Sequence, residues 1–202
     1  SALCALHPAS GTAQTNQMTV NTKKLGAPVQ NTMYGIFFED INYAADGGLY
    51  AELIMNRSFE FPNRFAGWTI SGNVTLKDDG PFDKNPHYVR LASPGHAHKH
   101  TMIENQGFFG IGVKQGAEYK FSVWARCPQG GKAKLWIDLV DNATMGESQV
   151  FSNASIDVEG KDWKKYTATF TSKRTFAKAH LRIWGDSRVT TDLEHFSLFP
   201  KD

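Results

Sequence analysis

The sequence predicts a mainly β protein: an antiparallel β-sandwich that follows a short strand–strand–helix segment. Two observations predict the sandwich. From about Ser58 onward, short segments of alternating polarity recur, and turns rich in Gly, Pro and Asn separate them. Strands at this spacing, without long helical patterns, are typical of sandwiches. A third observation concerns residues 33–41, where three consecutive apolar residues precede two carboxylates, as in a buried parallel strand.

Composition excludes several classes of partner. The 202 residues include 22 basic and 20 acidic side chains, for a net charge of +2, and no Lys/Arg run suggests a nucleic acid. The two cysteines form neither a disulfide framework nor a metal-binding pair. No apolar run after the first residues is long enough to span a membrane. The sequence therefore predicts neither a nucleic acid nor a membrane as a partner.

Residues 1–16 are predicted to lie outside the fold. A short apolar run, Ser1–Leu6, precedes Gly11-Thr12-Ala13, which has the small-x-small form of a signal-peptidase site. We expect these residues to be the remnant of a signal peptide or a disordered segment, in a protein that is secreted or periplasmic. The alternative is an ordinary flexible amino terminus.

Residues 17–57 are predicted to form the start of an α/β unit. Polarity alternates over Gln17–Thr22, which predicts a strand, and the buried strand at 33–41 follows. Asp46 suits the N-cap of a helix of about two turns. The apolar side chains that would share one face of this helix are Leu49, Tyr50, Leu53 and Ile54. Three such elements are too few to form a core by themselves.

The end of the buried strand holds two adjacent carboxylates, Glu39 and Asp40. An α/β barrel builds its active site at the carboxyl ends of its strands, so this position favours a functional role. A buried carboxylate there would need a partner or a ligand to offset its desolvation. The alternative is a strand end whose acids face water.

Residues 58–202 are predicted to form the sandwich, and this length suits one domain. The predicted strands lie near Val74–Asp78, Tyr88–Ala92, His100–Glu104, Glu118–Arg126, Lys134–Val140, Gln149–Val158, Lys164–Thr171, His180–Trp184 and His195–Phe199. In three of them the two faces differ in kind. The apolar face, which we expect in the core, comprises Tyr119, Phe121, Val123, Ala125, Leu135, Ile137, Leu139, Leu181 and Ile183.

The opposite face of the same three strands repeats Trp, Arg and Asp. Such a face suits a carbohydrate, because the C–H patches of a sugar ring stack on indole and its hydroxyls need charged or amide partners. Trp124, Trp136 and Trp184 are the candidate platform, with Arg126, Asp138 and Arg182 as a hydrogen-bonding rim. The alternative is that these tryptophans pack under a loop or against another domain, since Trp is mostly buried.

The residues alone predict binding rather than catalysis. Glycoside hydrolysis commonly uses two carboxylates that flank the scissile bond. The acids near the buried strand lack a second signal, such as the Asn-Glu dipeptide of a barrel strand end. The sequence also shows no Ser-His-Asp setting, phosphate loop or dinucleotide fingerprint.

Two stretches of the sequence resemble a known enzyme family. Tyr34–Phe61, which reads YGIFFEDINYAADGGLYAELIMNRSFEF, resembles the amino-terminal region of the family 51 glycoside hydrolases, the α-L-arabinofuranosidases. Phe196–Asp202 resembles that family's junction back into its catalytic barrel. Between them, residues 59–199 are similar to family 4-like carbohydrate-binding modules, which are jelly-roll, galactose-binding-like sandwiches.

The resemblance implies that residues 33–42 are the first strand of an incomplete α/β barrel. Glu39 would then be the carboxylate that binds arabinofuranose. The acid/base and nucleophile glutamates of the family belong to later barrel strands, so no catalytic residue is expected in this chain. The expected parent is a secreted retaining exo-enzyme that removes terminal arabinofuranose, while this chain by itself would be inactive.

The implied partners are arabinan or arabinoxylan and the rest of the catalytic barrel. In this reading the sandwich is mainly a carbohydrate-binding module. The main alternative is a sandwich that braces the barrel without binding sugar. A further alternative is a free-standing binding protein, against which the solitary buried strand at 33–41 argues.

The resemblance also implies a possible structural Ca²⁺ and no organic cofactor. Glu60 and Asp192 match the family's metal-ligand positions, and Ca²⁺ takes oxygen ligands of this kind. Such a site would hold the two ends of the sandwich together. The alternative is that both residues are ordinary surface acids.

Overall fold

The computed structural model describes residues 18–24, 26–28, 45, 47–92, 101–141, 149–185 and 188–201. The chain divides into two compact units, residues 1–38 and 39–202. In the first unit the described residues are exposed, and the backbone N–H of Lys24 donates to the carbonyl of Asn21 over 3.2 Å in a turn. The strand predicted over Gln17–Thr22 is therefore wrong for residues 18–22, which pair with no other strand.

The described part of the second unit contains eleven strands, as the sequence led us to expect of a sandwich. They are β1 (Trp68–Ser71), β2 (Val74–Lys77), β3 (Tyr88–Leu91), β4 (Thr101–Asn105), β5 (Ile111–Val113), β6 (Glu118–Arg126), β7 (Lys132–Val140), β8 (Val150–Glu159), β9 (Lys164–Thr171), β10 (Phe176–Gly185) and β11 (Thr191–Pro200). All nine predicted strands correspond to one of these. The two additions, β1 and β5, have four and three residues, too few for alternation to reveal them.

The strands form two antiparallel sheets, which confirms the predicted sandwich. One sheet has the order β1-β4-β10-β7-β8, with β5 also pairing with β10, and the other has the order β2-β3-β11-β6-β9. We call them the six-stranded and the five-stranded sheet. Because β7 and β10 belong to the first and β6 to the second, outward residues of β6 lie on a different sheet from those of β7 and β10.

The core is built from the apolar faces of both sheets, as predicted. Its predicted members are all at most 4% exposed. At one end of the core the aromatic rings of Phe59, Trp68 and Phe196 pack together, with centroids 4.9–5.9 Å apart. Aromatic clusters of this kind bury large apolar areas, which dominate core stability.

The helix predicted after Asp46 is wrong. Residues 47–49 form a turn and 51–54 have no regular secondary structure, and Leu49 is 79% exposed instead of facing a core. A tertiary contact explains the difference: the buried Glu52 carboxylate accepts a hydrogen bond from the backbone N–H of Leu198 at 2.8 Å.

The buried strand predicted at 33–41 lies outside the described residues. Within the described ranges, no helix has the length and apolar character needed to cross a membrane.

Candidate functional site

The outer surface of the six-stranded sheet presents a pair of tryptophans. Trp136 on β7 and Trp184 on β10 are cross-strand partners, so both side chains leave the same face. Their rings are nearly parallel, at 19°, with centroids 5.8 Å apart. The ammonium of Lys134 lies 5.7 Å from the Trp136 centroid, within cation–π range. Both tryptophans are partly exposed.

A charged row runs beside the tryptophan pair. Glu104, Arg182 and Asp138 stand opposite one another on β4, β10 and β7. Arg182 Nε donates to Glu104 Oε2 at 3.0 Å, and Trp184 Nε1 donates to Asp138 Oδ2 at 2.7 Å. We call these three residues, together with Trp136 and Trp184, the tryptophan face. The hydrogen bonds within this face fix its polar side chains in the absence of a ligand.

A second contact joins the Glu104 carboxylate to His180, two residues before Arg182 on β10. His180 Nδ1 lies 2.8 Å from Glu104 Oε1, and since an ionised carboxylate only accepts, the imidazole N–H is the donor. Glu104 therefore fixes the side chains of both His180 and Arg182. Its own side chain is only 2% exposed, so its position is defined by these bonds.

The carboxyl group of Asp138, in the tryptophan face, has a raised pKa. Burial raises the pKa of Asp138 above its usual value, and this outweighs the hydrogen bond from Trp184 and the positive charge of Arg182, both of which lower it. The folded protein therefore binds a proton at Asp138 more readily than the unfolded chain does. Burying the charged form costs free energy of folding at neutral pH.

We expect the substitution Asp138→Asn to change the pH dependence of stability. Because the folded pKa is raised, the Asp138 contribution to the free energy of unfolding falls as pH rises from about 4 through the raised pKa. Asn keeps an oxygen for Trp184 and does not titrate. Urea unfolding from pH 4 to 7.5 should show the variant gaining stability relative to the wild type as pH rises. A relative loss over that range would contradict this assignment.

Trp124 and Arg126 lie on the five-stranded sheet, so the single surface predicted for all three tryptophans is wrong. The alternation of apolar and polar side chains assigns the correct face in each strand, but β6 pairs with β11 and β9 instead of β7. Trp124 packs edge-on against Phe82, with centroids 5.2 Å apart. The Arg126 guanidinium lies 4.7 Å from the centroid of Trp163.

Asp192, predicted as a metal ligand, is the centre of an ion-pair cluster. Its fully buried carboxylate accepts from Arg90 Nε at 2.6 Å and Nη2 at 2.9 Å, and from Arg126 Nε at 2.8 Å. Hydrogen bonding to Asp192 raises the pKa of the Arg90 guanidinium. Both carboxylate oxygens thus have cationic partners, which leaves them poorly suited to a metal ion.

Glu60 is likewise committed to protein partners. Its carboxylate lies 2.9 Å from His87 Nδ1 and accepts from Arg64 Nη1 at 3.2 Å. In the described part of the chain, no group of three or more His, Cys, Asp or Glu side chains could hold a metal ion. The predicted Ca²⁺ site at Glu60 and Asp192 is therefore not supported.

Hydrogen bonds perform the task that the metal was expected to perform. Glu52 Oε1 accepts from the Leu198 N–H, and the Leu53 N–H donates to the Leu198 carbonyl at 3.0 Å. Two residues earlier on β11, the Phe196 N–H donates to the Arg57 carbonyl at 3.1 Å. These bonds join the segment that precedes β1 to the last strand, β11.

Three residues at or beside the tryptophan face are not predicted as site residues from the sequence. Glu104 and His180 lie on predicted strands, and alternation alone places them outward, but only the pairing of β4 with β10 brings them together. Phe109 lies in the turn between β4 and β5 and is 78% exposed. In the sequence, only the glycines on either side of it, Gly107 and Gly110, indicate that turn. Glu39 lies outside the described residues.

Comparison with known proteins gives a family match. The family model described as "Carbohydrate binding domain" matches residues 51–190. An extracellular exo-alpha-L-arabinofuranosidase of Streptomyces chartreusis is 38% identical over 195 residues, covering 92% of this chain and 22% of that protein. Alpha-L-arabinofuranosidase 1 of Arabidopsis thaliana is 28% identical, covering 88% and 28%. The chain thus spans about a quarter of the length of these relatives.

Solved structures agree with the architecture. The arabinose-bound α-L-arabinofuranosidase MgGH51 superposes with a TM-score of 0.70 at 27% identity, over 83% of this chain and 29% of that one. The CBM22-1 xylan-binding domain of Xyn10C from Paenibacillus barcinonensis gives 0.52 at 15% identity, over 74% and 94%. The second likeness, at this identity, shows a shared fold.

Proposed function

The chain belongs to the carbohydrate-binding domain family over residues 51–190, and from that premise we propose that its tryptophan face binds an arabinose-containing plant polysaccharide such as arabinan or arabinoxylan. The observation that supports this site most strongly is the parallel Trp136–Trp184 pair beside a preorganised charged row. Indole faces offer apolar area for the C–H side of a sugar ring. The buried Asp138 carboxylate accepts the Trp184 Nε1–H and so holds that indole face in place for the ring.

The charged row is at most 8% exposed, so it mainly fixes the indole rings and offers a hydroxyl-rich ligand only the outer edges of its polar groups. Asp138 and Glu104 accept hydrogen bonds and Arg182 donates them, so both kinds of partner stand within one row across three strands. Because these side chains already hold one another, little conformational entropy is lost when a ligand binds.

We propose further that the chain is part of a secreted α-L-arabinofuranosidase that removes terminal arabinofuranose. The similarity to the Streptomyces protein, which is named as extracellular and as an exo-enzyme, supports this proposal. In such an enzyme the sandwich would be one module, and its partner would be the rest of the catalytic barrel. Glu39 would bind arabinofuranose in that barrel, and residues 33–42 would be its first strand.

A second candidate function is structural, with the sandwich bracing the barrel. The observation that favours it is the exposure of Leu49 and Tyr50, which are 79% and 48% exposed in the segment before β1. Apolar side chains exposed side by side suit a protein interface. Binding assays separate the two candidates, because a bracing module does not retain sugar polymers.

Affinity electrophoresis tests the proposed function. We expect the 202-residue chain to migrate more slowly in native gels that contain arabinan or arabinoxylan than in gels without polysaccharide. A gel containing dextran controls for viscosity, and circular dichroism confirms that the chain is folded. Unchanged mobility of the folded chain in both plant polysaccharides would contradict the proposal.

A further inference from the structure

A cavity of about 320 Å³ lies at the β5 side of β10, and its wall includes His180, which contacts Glu104 of the tryptophan face. Its size falls at the lower end of the range for small-molecule sites, roughly 300–1,000 Å³. Besides His180, the residues that matter for its chemistry are Gln106, Phe109 and Lys178.

The cavity continues the tryptophan face along one strand. His180, Arg182 and Trp184 occupy alternate positions of β10 and therefore point to the same side of the sheet. At about 3.3 Å per residue, His180 and Trp184 are separated by roughly 13 Å along the strand. A chain of several sugar residues that stacks on Trp184 could therefore extend into the cavity.

The turn that forms one wall holds an aromatic ring out to solvent. Phe109 has a φ of 71°, a left-handed conformation that non-glycine residues rarely adopt, and its side chain is 78% exposed. Strained backbone of this kind persists where the surrounding structure fixes it, and it clusters at functional sites.

The surrounding structure fixes this turn closely. The Gly110 N–H donates to the Gln106 carbonyl at 3.0 Å, and a Cβ on Gly110 would lie 2.7 Å from the Lys178 Cα. The buried Asn105 accepts from the Gly107 N–H at 2.9 Å and donates to the Met55 carbonyl at 2.9 Å. Phe109 is therefore presented by a well-supported turn.

The charge of the wall is positive. Lys178 is exposed, and the described residues that line the cavity include no acidic side chain. His180 donates its Nδ1–H to Glu104, which leaves Nε2 for another partner. Gln106 can donate and accept. A ligand that suits this wall has one negative charge, hydroxyl groups and an apolar ring face.

We propose that this cavity is a subsite for a hexuronic acid residue attached to the polysaccharide, an inference that rests on the proposed function. The carboxylate pairs with the Lys178 ammonium, and the C–H face of the sugar ring lies on Phe109. His180 Nε2 and the Gln106 amide bind the hydroxyls. The subsite gives the chain a preference for acidic over neutral branches.

Isothermal titration calorimetry with two matched probes tests this subsite. The probes are a neutral arabinoxylan oligosaccharide and the same oligosaccharide with one glucuronic acid substituent. We expect the wild type to bind the acidic probe roughly two- to fivefold more tightly at low salt, as one exposed ion pair would produce. Screening should reduce the preference at high salt.

Three substitutions locate the effect. Lys178→Gln should abolish the preference while leaving the affinity for the neutral probe unchanged, and Phe109→Ala should weaken only the acidic probe. Lys120→Gln, at an exposed lysine of the five-stranded sheet, should change neither affinity. Because Lys178 and Phe109 are exposed, these variants are expected to fold.

The outcomes separate the subsite from the proposed function. Equal wild-type affinities for the two probes, or a preference that survives Lys178→Gln, would overturn the subsite and leave polysaccharide binding in place. Failure of the wild type to bind either probe would overturn both proposals.

Discussion

Replacing Asp192 with alanine is expected to lower the free energy of unfolding by about 3 kcal/mol, the largest effect on stability that we anticipate for a polar residue. The carboxylate is fully buried and bridges Arg90 and Arg126. Its removal leaves two guanidinium groups beside each other without their shared anion. Since both arginines keep about a quarter of their exposure, water solvates them in part, which places the loss at the lower end of the range for broken buried pairs.

Asp157→Ala is the matched control for this substitution. Asp157 on β8 pairs with Lys132 at 3.2 Å, but both partners are about half exposed. Surface pairs of this kind contribute less than about 1 kcal/mol. Chemical denaturation should therefore show a large shift for Asp192→Ala and a small one for Asp157→Ala. Equal shifts would mean that the buried cluster does not stabilise the sandwich.

Replacing both Trp136 and Trp184 with alanine is expected to weaken polysaccharide binding by at least about 30-fold. Central aromatic anchors of a binding surface commonly contribute about 2 kcal/mol or more, and 1.4 kcal/mol corresponds to a factor of ten. The double variant removes the stacking surface and also the Trp184 Nε1–H bond that holds Asp138. Both side chains are partly exposed and belong to the outer surface, so the core stays intact.

Trp124→Ala is the control for the double variant, because Trp124 lies on the other sheet. Affinity gels run below the melting temperature should retard the Trp124 variant as strongly as the wild type. The reverse pattern, in which Trp124→Ala abolishes retention and the double variant keeps it, would move the site to the five-stranded sheet.

Alternation predicted the sandwich because strand periodicity is local information. Tyr119, Phe121 and Val123 point inward whatever strand lies beside them, so the core followed from the sequence. The partners of each strand are not local. Trp124 was grouped with Trp136 because the composition of their faces matches, and only the pairing of β6 with β11 separated them.

Two further errors came from tertiary contacts that local patterns do not contain. Residues 49–54 fit a helical face, but the buried Glu52 bonds to Leu198, 146 positions away, and this holds the segment in a non-helical conformation. Asp192 resembled a metal ligand by position, yet the arginines that neutralise it lie on β3 and β6. The sequence alone does not reveal which basic side chains will pair with a given acidic residue in the fold.

The indole N–H signals test most directly whether the tryptophan face binds the polysaccharide. The five tryptophans give five such signals in a ¹⁵N–¹H correlation spectrum. Titration with an arabinoxylan oligosaccharide should shift the signals of Trp136 and Trp184 and leave those of Trp68, Trp124 and Trp163 in place. A titration in which the signals of Trp124 and Trp163 shift while those of Trp136 and Trp184 do not would show that the tryptophan face is not the binding site.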